Sequence, residues 1–139
     1  MNLLPLNIVN GVLILHGRHD TDEQLKVYFT QVAARVAPGI PVVLSRDDYH
    51  ARAAQLGGWN PWISDVVGGY DSVKRLPRYY LYVVPGDGDV GRATMEIVKG
   101  ALRLHKQVYY LTPEGGLIPV LDVQHNGKGH KDGWSLVVQ

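Results

Sequence analysis

The residues best equipped for chemistry lie between Tyr79 and Tyr110, where an apolar run empties through glycines onto a helix that carries a carboxylate. The run is Tyr79-Tyr80-Leu81-Tyr82-Val83-Val84, the loop is Pro85-Gly86-Asp87-Gly88-Asp89-Val90-Gly91, and the helix opens with Arg92-Ala93-Thr94-Met95-Glu96. A strand leading through glycines to a helix N-terminus presents backbone N–H groups and a positive dipole end, which suits a phosphate or carboxylate. Gly86, Gly88 and Gly91 are therefore candidate phosphate contacts, and a tight turn explains the same glycines equally well. Arg92 stands where the dipole disfavours a cation, which makes it a candidate phosphate ligand, with Thr94 beside it. Glu96 is expected in the first turn of the helix. The dipole alone favours an acid there by about 0.3–1 kcal/mol, so its position does not require catalysis.

A carboxylate near a sugar can stabilise or capture the oxocarbenium-like state formed when a C–N glycosidic bond breaks, and a second carboxylate can serve as acid or hold hydroxyls. Glu96 is the candidate nucleophile, and Asp89 or Asp65 the candidate partner. His16 and Gly17 follow an apolar run, and Asn126 lies in a late polar loop; all three are candidate substrate contacts. His16 and His19 with Asp20, and His125 with His130, have donor atoms for a metal. Lone imidazoles in loops are more often surface groups or base contacts, so neither a metal nor a cofactor is expected. Trp59 and Trp62 flank Asn60-Pro61 and either stack on a base or, more commonly for aromatics at a break, pack into the core.

The elements that must position these groups alternate. Gly11 to His16 is a short apolar run of the kind covered on both faces, and it is expected to be the first, central strand. Thr21-Asp22-Glu23-Gln24 is a capping box, followed by Leu25, Tyr28, Phe29, Val32 and Val36 at helical spacing. Pro41 to Ser45 reads as a second buried strand, Ala51 to Leu56 as a helix, and Trp62–Val67 and Tyr70–Arg75 as helical turns. Gln107 to Leu111, Leu117 to Val123 and Trp134 to Val138 read as strands, the last at an edge. This pattern predicts one α/β domain over residues 1–139, a doubly wound, mostly parallel sheet of Rossmann or flavodoxin-like form flanked by helices. Its ligand crevice is expected beyond the strand ends at Leu15, Leu44 and Val84. His125 to Gly133 holds glycines and charges with almost nothing to bury, which predicts a mobile loop able to close over that crevice.

Composition narrows the function classes. The 139 residues are 45% hydrophobic and 19% charged, a globular balance, and the formal net charge is +1. No global field recruits nucleic acid or a membrane surface. With no cysteine, disulfides, thiolate catalysis and cysteine-bound zinc are excluded. The start of the chain has no signal-peptide pattern, and no stretch approaches the ~20 apolar residues of a membrane span, so a cytoplasmic location is expected.

The run from Val83 through the Pro85–Gly91 loop and Arg92-Ala93-Thr94-Met95-Glu96 to Ala101 and Lys106-Gln107-Val108 resembles the signature of the nucleoside 2-deoxyribosyltransferase-like superfamily. That resemblance implies Glu96 as a nucleophile that forms a covalent glycosyl-enzyme, a nucleoside or nucleotide as substrate, and a homodimer completing the site. N-glycosidic cleavage or deoxyribosyl transfer is thus the leading expectation. The alternatives are a non-catalytic module for a nucleotide or ADP-ribose-like ligand and a lysine-decarboxylase-like nucleotide phosphoribohydrolase.

Overall fold

The computed structural model describes residues 11–17, 20–36, 42–44, 54–68, 70–71, 76–77, 79–128 and 133–139. Its centre is a parallel core. Strand β1 (Gly11–Ile14) lies between β2 (Val42–Leu44) and β5 (Tyr79–Val84), and β7 (Gln107–Leu111) lies on the far side of β5, all running the same way. Alternation divides these strands between two cores. Val12, Ile14, Leu81 and Val83 point to one side, where Val32 of helix α1 (Asp22–Arg35) and Val36, the residue that follows it, cover them. Leu13, Leu15, Tyr82 and Val84 point to the other, against α2 (Trp59–Gly68) and α3 (Arg92–Arg103). The expected burial of the Gly11–His16 run holds, with strand geometry ending at Ile14.

The expectation of a doubly wound, mostly parallel sheet is overturned. The sheet is mixed and curls into a half-barrel with few helices. Beyond β7 come β8 (Leu117–His125) and β9 (Trp134–Val138), each antiparallel to its neighbour, and the two-residue β6 (Asp89–Val90) pairs with β9 at Asp89↔Ser135 and Val90↔Trp134. The physical reason is the connection at residues 112–116. Parallel neighbours need a crossover of a dozen or more residues, whereas this turn closes at once. Thr112 N–H donates to Gly116 O at 2.9 Å, Gly115 N–H to Thr112 O at 2.9 Å, and Gly116 N–H to Thr112 Oγ1 at 2.9 Å. Gly115 has φ +87°, a left-handed conformation that a side chain would strain. An apolar run reveals that a strand is buried but not which way it runs.

Helix α1 begins as its sequence requires. Gln24 N–H donates to Thr21 Oγ1 at 3.2 Å and Thr21 N–H to Gln24 Oε1 at 2.7 Å, the reciprocal capping box. Leu25 and Val32 are buried, but Phe29 turns outward and is 43% exposed, so the apolar stripe is narrower than its spacing suggests. Around Tyr70 the expected helical turn over Tyr70–Arg75 is also corrected. Tyr70–Asp71 (β3) pairs antiparallel with Leu76–Pro77 (β4), and residues 72–75 lie outside the described set.

Helix α2 is held at both ends of its buried face. Trp62 is 1% exposed, in the core with Val66 and Val67. Of the two roles expected of Trp62, the core one is therefore the one the fold gives it. Gly100 of α3 lies so close to α2 that a Cβ there would come within 3.1 Å of Val67 Cγ1. The carbonyls that end α2 are satisfied from the sheet: the Tyr82 hydroxyl donates to Val66 O at 2.7 Å, and Lys106 Nζ donates to Val67 O. Lys106 Nζ also lies 5.8 Å over the Tyr82 ring. Burial pushes the Lys106 ammonium below, and the Tyr82 phenol above, its ordinary range.

Candidate functional site

The glycine loop is a strap fastened on both sides. Gly86 and Gly88 have φ of +113° and +94°, which accounts for glycine at each. The Tyr110 hydroxyl donates to Gly86 O at 2.7 Å, and Leu136 N–H donates to Gly88 O at 2.8 Å. Asp89 N–H donates to Asp87 Oδ1 at 2.9 Å, so one of the backbone donors expected to cradle an anion already serves a carboxylate. The chain then forms β6 before Gly91 caps α3 without a side-chain bond.

Three carboxylates were candidates, and the fold puts them on three elements. Glu96 does not lie in the first turn of α3, which holds no acid, but one turn further on. The placement follows from β6: Asp89 and Val90 are extended, so the helix starts only at Arg92. Arg92 Nε donates to Glu96 Oε1 at 3.2 Å; Arg92 is 81% exposed and Glu96 31%. Asp89, on β6, accepts from Ser135 Oγ at 2.7 Å and from Lys128 Nζ. These bonds, first that of Lys128 and then that of Ser135, hold its carboxyl below the usual carboxylate range. Asp65 is half-buried on α2. Thr94 is half-buried on α3.

Asn126 belongs with Asp89. Its Nδ2 donates to Ser135 Oγ at 3.0 Å, and Lys128 N–H donates to its Oδ1 at 2.8 Å. The start of the loop expected to be a lid is thus tied to β6 and β9; residues 129–132, including His130, lie outside the described set. Lys128→Ala is expected to speed amide hydrogen exchange at 126–128 and at Asp89. The melting temperature should stay within about 3 °C, because an exposed ion pair contributes no more than about 1 kcal/mol. Unchanged exchange would show that Lys128 does not hold the loop. His125 stands edge-on to Trp134 with centroids 5.0 Å apart, and Lys99 Nζ lies 5.3 Å over the same indole. Among the described residues no group of three or more metal-ligating side chains is gathered.

Among the described residues a concave feature lies elsewhere, on the α1 side of the sheet. A cleft of about 460 Å³ lies between Glu23, Gln24, Val27, Tyr28 and Gln31 of α1 and the segments Gly86 and Leu111–Pro113. It opens at the carboxyl ends of β5 and β7, shifted from the Leu15, Leu44 and Val84 ends expected; residues 45–50 lie outside the described set. Gln31 Nε2 reaches Pro113 O at 3.5 Å, fixing the turn against the helix. Beyond the end of β1, Asp20 Oδ2 accepts from Gly17 N–H at 2.8 Å, while Asp20 N–H donates to Gly17 O at 3.2 Å. His16 is buried with Nδ1 3.0 Å from Gly17 O; His19 lies outside the described residues.

Two phenols define the chemistry there. Burial, the Asp20 charge and a hydrogen bond to Asp20 push the Tyr28 hydroxyl above its ordinary range. Burial, then Asp87 and Glu114, push that of Tyr110 up as well. Both therefore remain protonated donors at neutral pH. Of the sequence-derived residues, Gly86 lines this cleft; Arg92, Glu96, Asp89 and Asn126 take part in the contacts around β6, β9 and α3. Sequence reading assigned Tyr28 to a core stripe, weighed Asp20 only as a metal donor and Glu23 only as part of a capping box, and passed over Gln31. The available signal was polar Glu23, Gln24 and Gln31 at helical spacing around Tyr28.

Comparison with protein-family models, curated proteins and solved structures gives no match. Among the described residues no helix is long and apolar enough to cross a membrane.

Proposed function

We propose that this protein binds a nucleoside or nucleotide in the α1 cleft, as a cytosolic binding or sensing module, without a membrane or nucleic acid polymer as partner. The observation that carries the reading is the cleft itself, about 460 Å³ at the carboxyl ends of two parallel strands, with Tyr28 on its wall. Such clefts of roughly 300–1,000 Å³ are where small ligands settle, and an aromatic wall with a few fixed polar groups suits a base with a sugar. Tyr28 offers a ring for stacking, and Gln24 and Gln31 offer amides for an edge.

N-glycosidic cleavage or deoxyribosyl transfer is the second reading, favoured by one observation. The Arg92–Glu96 pair stands immediately after the glycine loop, and its arginine is the exposed member. A ligand phosphate that engages Arg92 competes with Glu96 and leaves the Glu96 carboxylate available to a sugar. Asp89, ionised and hydrogen-bonded, then fits a role in holding hydroxyls better than one as an acid.

The test is a titration with four deoxyribonucleosides and their 5′-monophosphates, followed by amide chemical shifts and by chromatography for free base. Binding is expected to move Gly86 and the Tyr28 turn of α1. Tyr28→Ala should weaken binding about tenfold or more, the size of one lost base–aromatic stack. Base release that disappears in Glu96→Gln establishes the second reading. Absence of any shift at millimolar ligand removes the binding reading.

A further inference from the structure

The cleft's walls have a definite electrical character. Among the lining residues are one carboxylate, Glu23, and no lysine or arginine. Further carboxylates lie behind the lining. Asp20 holds the Tyr28 hydroxyl, and Asp87 and Glu114 act on Tyr110, whose hydroxyl is fixed to Gly86 of the wall. The Tyr28 hydroxyl is directed at Asp20.

One feature of the wall should attract an anion, the N-terminus of α1, and the sequence has cancelled it. The Thr21–Gln24 capping box takes up N–H groups there, and Asp22 and Glu23 occupy the first turn. Two acids at the positive end of the dipole leave little field for a third negative group. The arginine suited to phosphate, Arg92, is tied to Glu96 on α3 and is not among the lining residues.

We infer that the cleft selects an uncharged or cationic, donor-rich ligand and rejects its phosphorylated form, with Glu23 as the residue that sets this preference. The inference rests on the binding reading above and decides its substrate class. A sugar's hydroxyls or an exocyclic amine would donate to the Glu23 carboxylate of the wall. A phosphate would meet the same oxygens as a like charge. A lining carboxylate repels a dianionic phosphate, by an amount that salt screening reduces.

Calorimetric titration of deoxyadenosine and deoxyadenosine 5′-monophosphate into the protein at low salt, then into Glu23→Gln and Glu23→Lys, tests this. The nucleoside is expected to bind about tenfold tighter than its monophosphate. The gap should narrow in Glu23→Gln and close or invert in Glu23→Lys, with nucleoside affinity changing less than monophosphate affinity. Raising the salt should narrow it in the unaltered protein too. A monophosphate that binds as tightly as the nucleoside overturns the inference while leaving the binding reading in place. A gap insensitive to Glu23 overturns the assignment of Glu23. If neither compound binds, the binding reading fails and the inference with it.

Discussion

Replacing Trp62 with alanine is expected to lower the stability of this protein by about 3–5 kcal/mol, the range for truncating a fully buried large aromatic. For a chain of this size that corresponds to a fall in melting temperature of roughly 10–15 °C. The indole is 1% exposed and belongs to the larger core, where α2 meets α3 and the sheet. Partial collapse is limited because α2 is fixed on its far side by Tyr82 and Lys106 and meets α3 at Gly100. Paired thermal and urea denaturation checks the value. A loss under about 1 kcal/mol would mean that α2 does not pack as described.

Stability should also fall steeply in alkali. The Tyr82 phenol is buried, and burial raises it well above its ordinary 10.0, whereas the unfolded chain titrates at that ordinary value. Above pH 10 the unfolded state therefore loses a proton that the folded state keeps. Unfolding gains about 1.4 kcal/mol per pH unit from this one group until the folded phenol also ionises. Lys106 acts in the opposite sense. Its folded value lies below the ordinary 10.5, so between the two values the unfolded state holds more protons and stability rises with pH. Beyond 10.5 that contribution is complete and the tyrosine dominates. Tyr82→Phe removes the hydrogen bond to Val66 O and should cost about 0.5–1.5 kcal/mol at neutral pH, yet flatten the alkaline slope by about one proton. Equal slopes in the two proteins would sink the account.

The local signals in the sequence were strong where chemistry and geometry coincide. Thr21 and Gln24 specify a helix start by themselves, because each side chain bonds the other's backbone. The buried strands Gly11–Ile14 and Tyr79–Val84 were legible from unbroken apolar runs. Strand direction was not. The apolar run Leu117–His125 does not carry it; the short gap at residues 112–116, visible in the sequence itself, does, being too brief for a crossover. Glu96 illustrates a second limit. A strand as short as Asp89–Val90 has no period to detect, yet forming it delays α3 and moves Glu96 out of the first turn. The cleft was hidden for a third reason. Its walls come from α1, the glycine loop and the β7–β8 turn, which meet only through long-range packing, and Tyr28 and Asp20 reveal their partnership only in three dimensions.

The fastening of the glycine strap has a consequence for how the molecule assembles. Gly88 and Asp89 are held by Leu136 and Ser135, and Asp89 and Ser135 are separated by 46 positions. Contacts between such distant segments form only after the intervening chain has been ordered, since closing a long loop costs entropy before any bond rewards it. The parallel half also joins distant segments, β1 to β5 at Val12↔Leu81, but two buried apolar layers reward that closure, whereas the strap is held by a few hydrogen bonds. The wall of the cleft at Gly86 is therefore expected to be among the last parts to settle during folding, and the first to loosen when β9 frays.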